Sequence, residues 1–230
     1  MDDKQSTRRG IVAVDGPAGA GKSTVARLLA DHLEYLYLDT GAMYRALAYK
    51  ALKHGIDLRD DESLADLLKD TEIILQGQGQ GGVQVRLDNH DVTDELRTPS
   101  VNASVSQVAG LKTVRTEMVR RQRHLAENGG VVMDGRDIGT FVLPEADVKF
   151  YLTASLKARS QRRFDELARR GYPVEFRRIQ EEISHRDLLD ESRHLAPLAQ
   201  AHDAIRIDST DMEVEDVLAR MLAVCRQRLL

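Results

Sequence analysis

Cysteine and aromatic residues are scarce in this sequence of 230 residues, which has one cysteine, no tryptophan and only 4% aromatic side chains. The single cysteine, Cys225, cannot form a disulfide within the chain, and its place in an apolar helical pattern predicts a small buried side chain. No apolar run approaches the roughly 20 residues that span a bilayer. The start, MDDKQSTRRG, is charged and does not predict a secretory signal. We therefore expect a cytoplasmic protein with a disordered tail at residues 1–9.

The chain also lacks the positive excess of a general nucleic-acid binder, because 33 basic residues face 37 acidic ones for a net charge of −4. Positive charge is nevertheless concentrated in two segments, 112–123 and 157–178. Basic segments on an acidic chain indicate a local anionic ligand.

Apolar runs of strand length alternate with helical patterns along most of the chain. Strands are predicted at 10–15, 35–39, 131–134, 148–152 and 204–208, and helices at 22–33, 41–55, 155–170, 175–190 and 213–228. Such alternation predicts an α/β fold with a central parallel sheet flanked by helices. The segment 71–110 breaks the alternation with a short antiparallel meander and a polar helix, followed by a basic helix at 111–127. We predict a single unit over 10–230 with an inserted small antiparallel lobe at 71–110, and we assign no role to its turn GQGQGG.

The stretch GPAGAGKS (16–23) directly follows the first predicted strand and matches the P-loop pattern G-x-x-x-x-G-K-[ST]. Its backbone N–H groups would surround the phosphates of a nucleoside triphosphate, Lys22 would reach the β- and γ-phosphates, and the Ser23 hydroxyl would coordinate Mg²⁺. The residues predicted to bind ATP here are Gly16, Pro17, Ala18, Gly19, Ala20, Gly21, Lys22, Ser23 and Thr24. No N-K-x-D string is present to read guanine, so a compact small-molecule kinase or a regulatory ATPase remains.

Arginines favour an acceptor that is itself a phosphate. Two unit charges about 4 Å apart repel by about 4 kcal/mol at an effective dielectric constant of about 20, so two phosphates meeting in line need several cations between them. A phosphate acceptor is already ionised and needs no general base. Candidate arginines are Arg45, Arg136, Arg186 and Arg193, and two of their segments begin where strands end, which is where doubly wound folds bind ligands.

Four motifs in this order and spacing resemble those of the bacterial cytidylate kinases: DGPAGAGKST (15–24), DTGAMYR (39–45), DGRDIGT (134–140) and RDLLDESRHLAPL (186–198). The resemblance implies the P-loop nucleoside monophosphate kinase fold with a mobile basic lid at 157–178. It implies phosphorylation of CMP and dCMP to CDP and dCDP, with ATP and Mg²⁺. Only these small molecules are expected as partners, with no nucleic acid or membrane, and the protein is expected to be a monomer.

The resemblance also implies roles for individual residues. Arg45, Arg136 and Arg193 would grip the acceptor phosphate, and Arg186 and Asp190 would contact its sugar and phosphate. Ser106, Arg115 and Asp137 would read the cytosine. Thr40 and Tyr44 are further acceptor-site candidates, and the lid arginines that would close over the ATP phosphates are Arg159, Arg162 and Arg163. The predicted catalytic residues are Lys22, Arg45, Asp134, Arg136 and Arg193.

The carboxylates in DGRDIGT fit these roles chemically. Asp137 can accept a hydrogen bond from the N4 amine of cytosine, whereas uracil presents a carbonyl oxygen there. An unpaired polar group in a buried pocket costs roughly 1–3 kcal/mol, which predicts a preference for cytosine of about ten- to a hundredfold. Asp134 ends an apolar strand, as a carboxylate that supports Mg²⁺ through water would.

Several alternatives remain open from the residues alone. Asp39 and Thr40 could merely cap the following helix, and Tyr44 could simply pack at a domain edge. One lid arginine could face ATP while another pairs with Asp165 or Glu166. The chain could be a kinase of UMP, dTMP, GMP or shikimate, or a nucleotide-dependent module that binds RNA through the helix at 112–123.

Overall fold

The computed structural model describes residues 9–77 and 83–229. Of the predicted tail at 1–9, only Arg9 is among the described residues, and residues 78–82 of the GQGQGG turn also lie outside them. Within the described residues the strands are β1 (Ile11–Asp15), β2 (Leu36–Asp39), β3 (Ile73–Gly77), β4 (Val83–Leu87), β5 (His90–Asp91), β6 (Val131–Asp134), β7 (Val148–Thr153) and β8 (Ile205–Asp208). The helices are α1 (Lys22–Leu33), α2 (Thr40–His54), α3 (Asp61–Lys69), α4 (Pro99–Gly110), α5 (Lys112–Leu125), α6 (Leu156–Arg169), α7 (Phe176–Glu191) and α8 (Val214–Leu229).

The predicted parallel sheet is confirmed, with strands in the spatial order β2-β6-β1-β7-β8. All five residues of β1 are buried, as expected for a strand covered on both faces. Val12 and Val14 pack in a core with α1 and α8, whereas Ile11 and Ala13 pack on the opposite face with Val119 of α5. The alternation of β1 side chains therefore divides the core into two layers.

The carboxyl ends of three neighbouring strands carry aspartates. Asp39 of β2 lies in register with Asp134 of β6, and Asp15 ends the adjacent strand β1. Because parallel strands end at one edge of the sheet, these carboxylates lie beside the loops that follow each strand.

The predicted inserted lobe is also observed. Strands β3, β4 and β5 form an antiparallel sheet, and α4 follows a short 3₁₀ turn at Glu95–Arg97. Val85 and Leu87 of β4 pack against Ala42 and Ala46 of α2, which anchors the lobe to the helix that leaves β2.

Besides the 3₁₀ turn, two of the described elements were not predicted. Helix α3 begins after Asp60, whose carboxylate accepts the Ser63 N–H at 3.0 Å, and it buries Leu64 and Leu68. A π-helical turn at Ile138–Val142 follows β6 and sets the course of the DGRDIGT motif.

Candidate active site

A single cleft of about 1220 Å³ brings together the P-loop, the residues after β6, and helices α2, α4, α6 and α7. The predicted site residues that line it outside the P-loop are Thr40, Tyr44, Arg45, Ser106, Arg115, Asp134, Arg136, Asp137, Arg162, Arg163, Arg186, Asp190 and Arg193. They come from segments spread over most of the sequence, and the fold gathers them at the carboxyl edge of the sheet.

Glycines determine the course of the P-loop. Gly16, Gly19 and Gly21 have positive φ angles of 145°, 75° and 89°. A Cβ on Gly16 would lie 1.9 Å from the carbonyl oxygen of Leu152, so only glycine lets the loop pass so close to β7. The loop therefore enters α1 with its backbone free of side-chain obstruction.

Lys22 begins α1 and is 5% exposed. Its Nζ donates to the Pro17 carbonyl oxygen at 2.8 Å, across the mouth of the P-loop. Burial and the neighbouring Arg136 lower the pKa of Lys22 to about 7, although Asp134 opposes this shift. A bound polyphosphate would restore the full charge, so the geometry favours an anion at this position.

Arg159 lies behind the P-loop. Its guanidinium donates to the carbonyl oxygens of Ala18 at 2.9 Å and Ala154 at 3.0 Å, and it pairs with Asp187. The residue is buried, with 8% of its surface exposed. These contacts hold the loop from behind, whereas the family resemblance implies that Arg159 closes over the ATP phosphates.

Arg162 and Arg163 lie at the cleft. Arg162 donates to Ser209 Oγ at 3.0 Å, and Arg163 pairs with Glu166 at 2.8 Å. The second contact confirms the expectation that one lid arginine pairs with Asp165 or Glu166.

Asp134 joins the P-loop to β2. Its Oδ2 accepts from Ser23 Oγ at 2.9 Å and its Oδ1 from Tyr37 Oη at 2.7 Å. Thr40 Oγ1 donates to its backbone carbonyl oxygen at 2.7 Å. Burial, followed by the charge of Asp39, raises the pKa of Asp134 to about 6.

The oxygens of Ser23 and Asp134 are of the kind that could hold a magnesium ion. The Ser23 hydroxyl and Asp134 carboxylate are hard oxygen ligands that already lie within hydrogen-bonding distance of each other. Over residues 9–77 and 83–229, no group of three or more His, Cys, Asp or Glu side chains could hold a metal ion.

Asp190 organises the other half of the cleft. It is 1% exposed and accepts from Arg136 Nε at 2.8 Å, from Ser106 Oγ at 3.1 Å and from Arg193. Arg136 follows β6, whereas Arg193 follows α7, so the carboxylate draws together arginines that are 57 positions apart in the numbering.

Buried guanidinium nitrogens in this half lack partners. Among the described residues, Nε of Arg115, Arg186 and Arg193 is buried without a hydrogen bond. Burial, followed by the charge of Arg136, lowers the pKa of Arg186 to about 9, although the carboxylate of Asp190 opposes this shift. Buried donors of positive charge are costly without an acceptor, so this region favours an anionic ligand.

Asp137 and Arg115 form a buried ion pair beside Tyr44. Arg115 donates to Asp137 Oδ2 and, at 3.4 Å, to Tyr44 Oη. The guanidinium carbon lies 6.0 Å from the centre of the Tyr44 ring. Tyr44 is 6% exposed and thus packs and lines the cleft at once.

Arg45 is held at the start of α2. Asp39 accepts the Ala42 N–H at 2.9 Å, which caps the helix, and also binds Arg45 at 2.6 Å. The capping alternative is confirmed for Asp39, while the hydroxyl of Thr40 makes its contact with Asp134.

Comparison with known proteins agrees with this arrangement. The family model described as cytidylate kinase matches residues 12–227. The chain belongs to the cytidylate kinase family. It is 52% identical to a cytidylate kinase of Geobacillus thermodenitrificans strain NG80-2, covering 96% of this chain and 99% of the relative. It is 53% identical to one of Bacillus pumilus strain SAFR-032, covering 92% and 93%.

The fold alone is shared with a crystal structure of an uncharacterized protein from Eubacterium ventriosum ATCC 27560. That structure has a TM-score of 0.50 and 12% identity, and the match covers 96% of this chain and 100% of the other. Separately, none of the helices formed within residues 9–77 and 83–229 is long and apolar enough to cross a membrane.

Three residues that line or support the cleft were not singled out from the sequence. Asp15 accepts the N–H groups of Ile138 and Gly139 at 2.8 and 2.7 Å, which ties the π-helical turn to the P-loop strand. Asp187 holds Arg159, and Tyr37 holds Asp134. Asp15 and Asp187 stand inside the quoted motifs and could have been singled out, whereas Tyr37 lies in an apolar strand and gave no indication.

Proposed function

We propose that this protein transfers the γ-phosphoryl group of ATP to CMP and dCMP, which yields CDP and dCDP. The observation that carries the proposal is the cluster of buried arginine donors, with Nε of Arg186 and Arg193 unpartnered, beside a P-loop in one cleft. Two phosphate sites side by side are what phosphoryl transfer between nucleotides requires.

The donor half would bind ATP through the P-loop. The backbone N–H groups after Gly16 and the start of α1 supply partial positive charge, and Lys22 supplies a full charge to the terminal phosphates. Magnesium would be held by Ser23 directly and by Asp134 through water, and it would neutralise charge on the transferring phosphates. Tyr37 keeps the Asp134 carboxylate oriented toward Ser23.

The acceptor half would hold the monophosphate. Arg136, Arg186 and Arg193 surround the space where its phosphate would lie, and Arg45 approaches from α2. Because an ionised phosphate oxygen is the nucleophile, these side chains need only position it and offset the repulsion between phosphates. Asp190 keeps Arg136 and Arg193 in place before the ligand arrives.

The base would be read at the pair of Arg115 and Asp137. Arg115 occupies Oδ2 of Asp137, so the remaining acceptor capacity of that carboxylate can receive the N4 amine of cytosine. The carbonyl oxygen of uracil would face the carboxylate without a proton between them. This contact supports a preference for CMP and dCMP over UMP.

Closure of the segment 157–178 would exclude water, because bound ATP facing an open site would be hydrolysed. Arg162 and Arg163 line the cleft from this segment and could turn toward the donor phosphates, while Arg159 supports the loop from behind. We further propose that the protein is cytoplasmic and monomeric. Size-exclusion chromatography with light scattering measures the molar mass and would test the monomeric state.

The proposal is tested by measuring ADP release from ATP and Mg²⁺ in a coupled assay. CMP, dCMP, UMP, GMP, AMP, dTMP and shikimate are compared with a reaction that lacks an acceptor. We expect turnover with CMP and dCMP, a UMP efficiency lower by about ten- to a hundredfold, and little ADP without acceptor. Equal efficiency with CMP and UMP would remove the base-reading role of Asp137, and no acceptor-dependent ADP would overturn the kinase proposal.

A further inference from the structure

Helix α7 contacts residues of both halves of the cleft through two buried aspartates on the same side, Asp187 and Asp190. They are three residues apart, which is less than one helical turn, and both are buried at 9% and 1% exposure. Asp190 contacts the acceptor arginines, whereas Asp187 contacts the P-loop. The roles proposed above use Asp190 and leave Asp187 without one.

Asp187 holds a single P-loop residue from two directions. Its Oδ1 accepts the backbone N–H of Ala18 at 3.2 Å, and its Oδ2 binds Arg159, which in turn donates to the Ala18 carbonyl oxygen at 2.9 Å. Both backbone polar groups of Ala18 are therefore fixed by one ion pair. The next residue, Gly19, lies so close that an added Cβ would be 3.0 Å from the Arg159 carbonyl oxygen.

The ion pair also removes a repulsion that Asp187 would otherwise exert on bound phosphates. An unpaired carboxylate beside the P-loop would repel the phosphates that the loop binds. Arg159 neutralises Asp187, and the side chains of the pair are only 10% and 12% exposed. Asp187 can thus orient the loop without opposing its ligand.

At the other position on α7, Asp190 binds Arg136 and Arg193, to which we assign the acceptor phosphate. A phosphate bound by these arginines would compete with Asp190 for their N–H groups, and a resulting shift of α7 would also move Asp187. One regular helix joins the two carboxylates. A position of α7 that favours binding of the monophosphate would therefore also hold the P-loop in the conformation that binds ATP.

We propose that Asp187 is a positioning residue that couples occupation of the ATP site to occupation of the monophosphate site through α7. This inference rests on the proposed function. Linkage requires the effect to be reciprocal, so each ligand raises the affinity for the other by the same factor. A residue that merely stabilised the fold would lower both affinities and leave that factor unchanged.

The test is isothermal titration of the full chain with a non-hydrolysable ATP analogue and Mg²⁺, with and without saturating CMP, and the reverse titration. We expect each ligand to tighten the other by about fivefold or more in the wild type. In Asp187→Asn the factor should fall to within about twofold of one, while the affinity for CMP alone changes by less than about threefold. Glu181→Gln, an exposed acidic residue on the same helix, should keep the wild-type factor.

Arg159→Lys tests the same ion pair by changing the partner of Asp187. Lysine keeps the positive charge but cannot bind Asp187 and two carbonyl oxygens together, so coupling should fall as in Asp187→Asn. If Asp187→Asn does not fold, Arg159→Lys alone tests the inference. The inference would be overturned if a folded variant kept the coupling factor of the wild type. It would also be overturned if the coupling factor of the wild type itself were close to one. Failure of the wild type to bind CMP at all would instead overturn the proposed function.

Discussion

Asp137 is held by a buried arginine on one side and faces the cleft on the other, so its two oxygens have different tasks. Arg115 donates to Oδ2, and both side chains are nearly excluded from solvent, at 7% for Asp137 and 2% for Arg115. In a variant with asparagine, Arg115 still requires an acceptor, so the amide oxygen should turn toward Arg115 and the amide nitrogen toward the base.

We therefore expect Asp137→Asn to lower the ratio of kcat/KM for CMP to that for UMP by about tenfold or more, because the amide N–H matches the uracil carbonyl oxygen. The ratio is measured on one enzyme preparation and does not depend on the fraction folded, which matters because Arg115 loses a charged partner. Asp66→Asn, at an exposed pair with Lys69, serves as the control. A ratio equal to that of the wild type would place base recognition elsewhere.

Helix α2 shows how one residue can serve an element and a site together. Asp39 caps α2 through the Ala42 N–H and also pairs with Arg45, whose side chain is 20% exposed. A cap is worth about 1 kcal/mol, whereas an ion pair that keeps some contact with water contributes between about 0 and 1 kcal/mol.

Asparagine retains the capping oxygen and removes the charge. We expect Asp39→Asn to change the free energy of unfolding by less than about 0.5 kcal/mol and Asp39→Ala to lower it by about 1 kcal/mol, measured by urea unfolding. Asp60→Ala, which removes the cap of α3, should resemble Asp39→Ala. Equal losses for the asparagine and alanine variants at position 39 would mean that the ion pair, not the cap, carries the stabilisation.

The elements differ in how far the sequence could predict them. The central strands are continuous apolar runs, and Gly55, whose φ of 67° suits glycine, caps the end of α2, so both elements could be predicted from the sequence. Helix α3 carries local indications in Asp60 and its acidic first turn, but it is short and lies just before the lobe. The π-helical turn after Asp137 depends on Asp15 accepting two N–H groups, a contact between positions more than 120 residues apart.

At the scale of the whole molecule, the same distinction applies to the site. The P-loop is one contiguous motif, so its residues could be assigned at once. Arg159 could be assigned only a general lid role, because its contacts with Ala18 and Asp187 appear when α6 and α7 pack beside the loop. The helical spacing in the sequence predicted the face of α6 on which Arg159 lies, but it could not predict which residues Arg159 contacts.

Burial of charge within the whole fold also gives the protein a characteristic pH dependence. Asp15 is 3% exposed, and burial raises its pKa to about 7 despite the two N–H groups that favour the charged form. Asp134 shifts in the same direction, to about 6, whereas Lys22 shifts downward to about 7. The folded protein thus carries buried groups whose preferred protonation states change within two units of neutral pH.

The sign of the effect follows from proton linkage. Between about pH 4 and pH 7 the folded state keeps a proton on Asp15 that the unfolded chain has released, so stability falls as the pH rises through this window. Lys22 has the opposite effect above pH 7. There the unfolded chain keeps a proton on this lysine that the folded state has released, so the free energy of unfolding rises with pH.

Asp15→Asn isolates the first contribution, since asparagine does not titrate and the other groups remain in both proteins. We expect the free energy of unfolding of the wild type minus that of Asp15→Asn to decrease steadily from pH 4.5 to pH 7.5, measured by urea unfolding at matched ionic strength. Because the two proteins are compared with each other at the same pH, the effects of acid that are common to both cancel in the difference. A difference that is flat or that increases with pH would show that Asp15 remains ionised in the fold. Its two N–H donors would then outweigh the desolvation of the carboxylate.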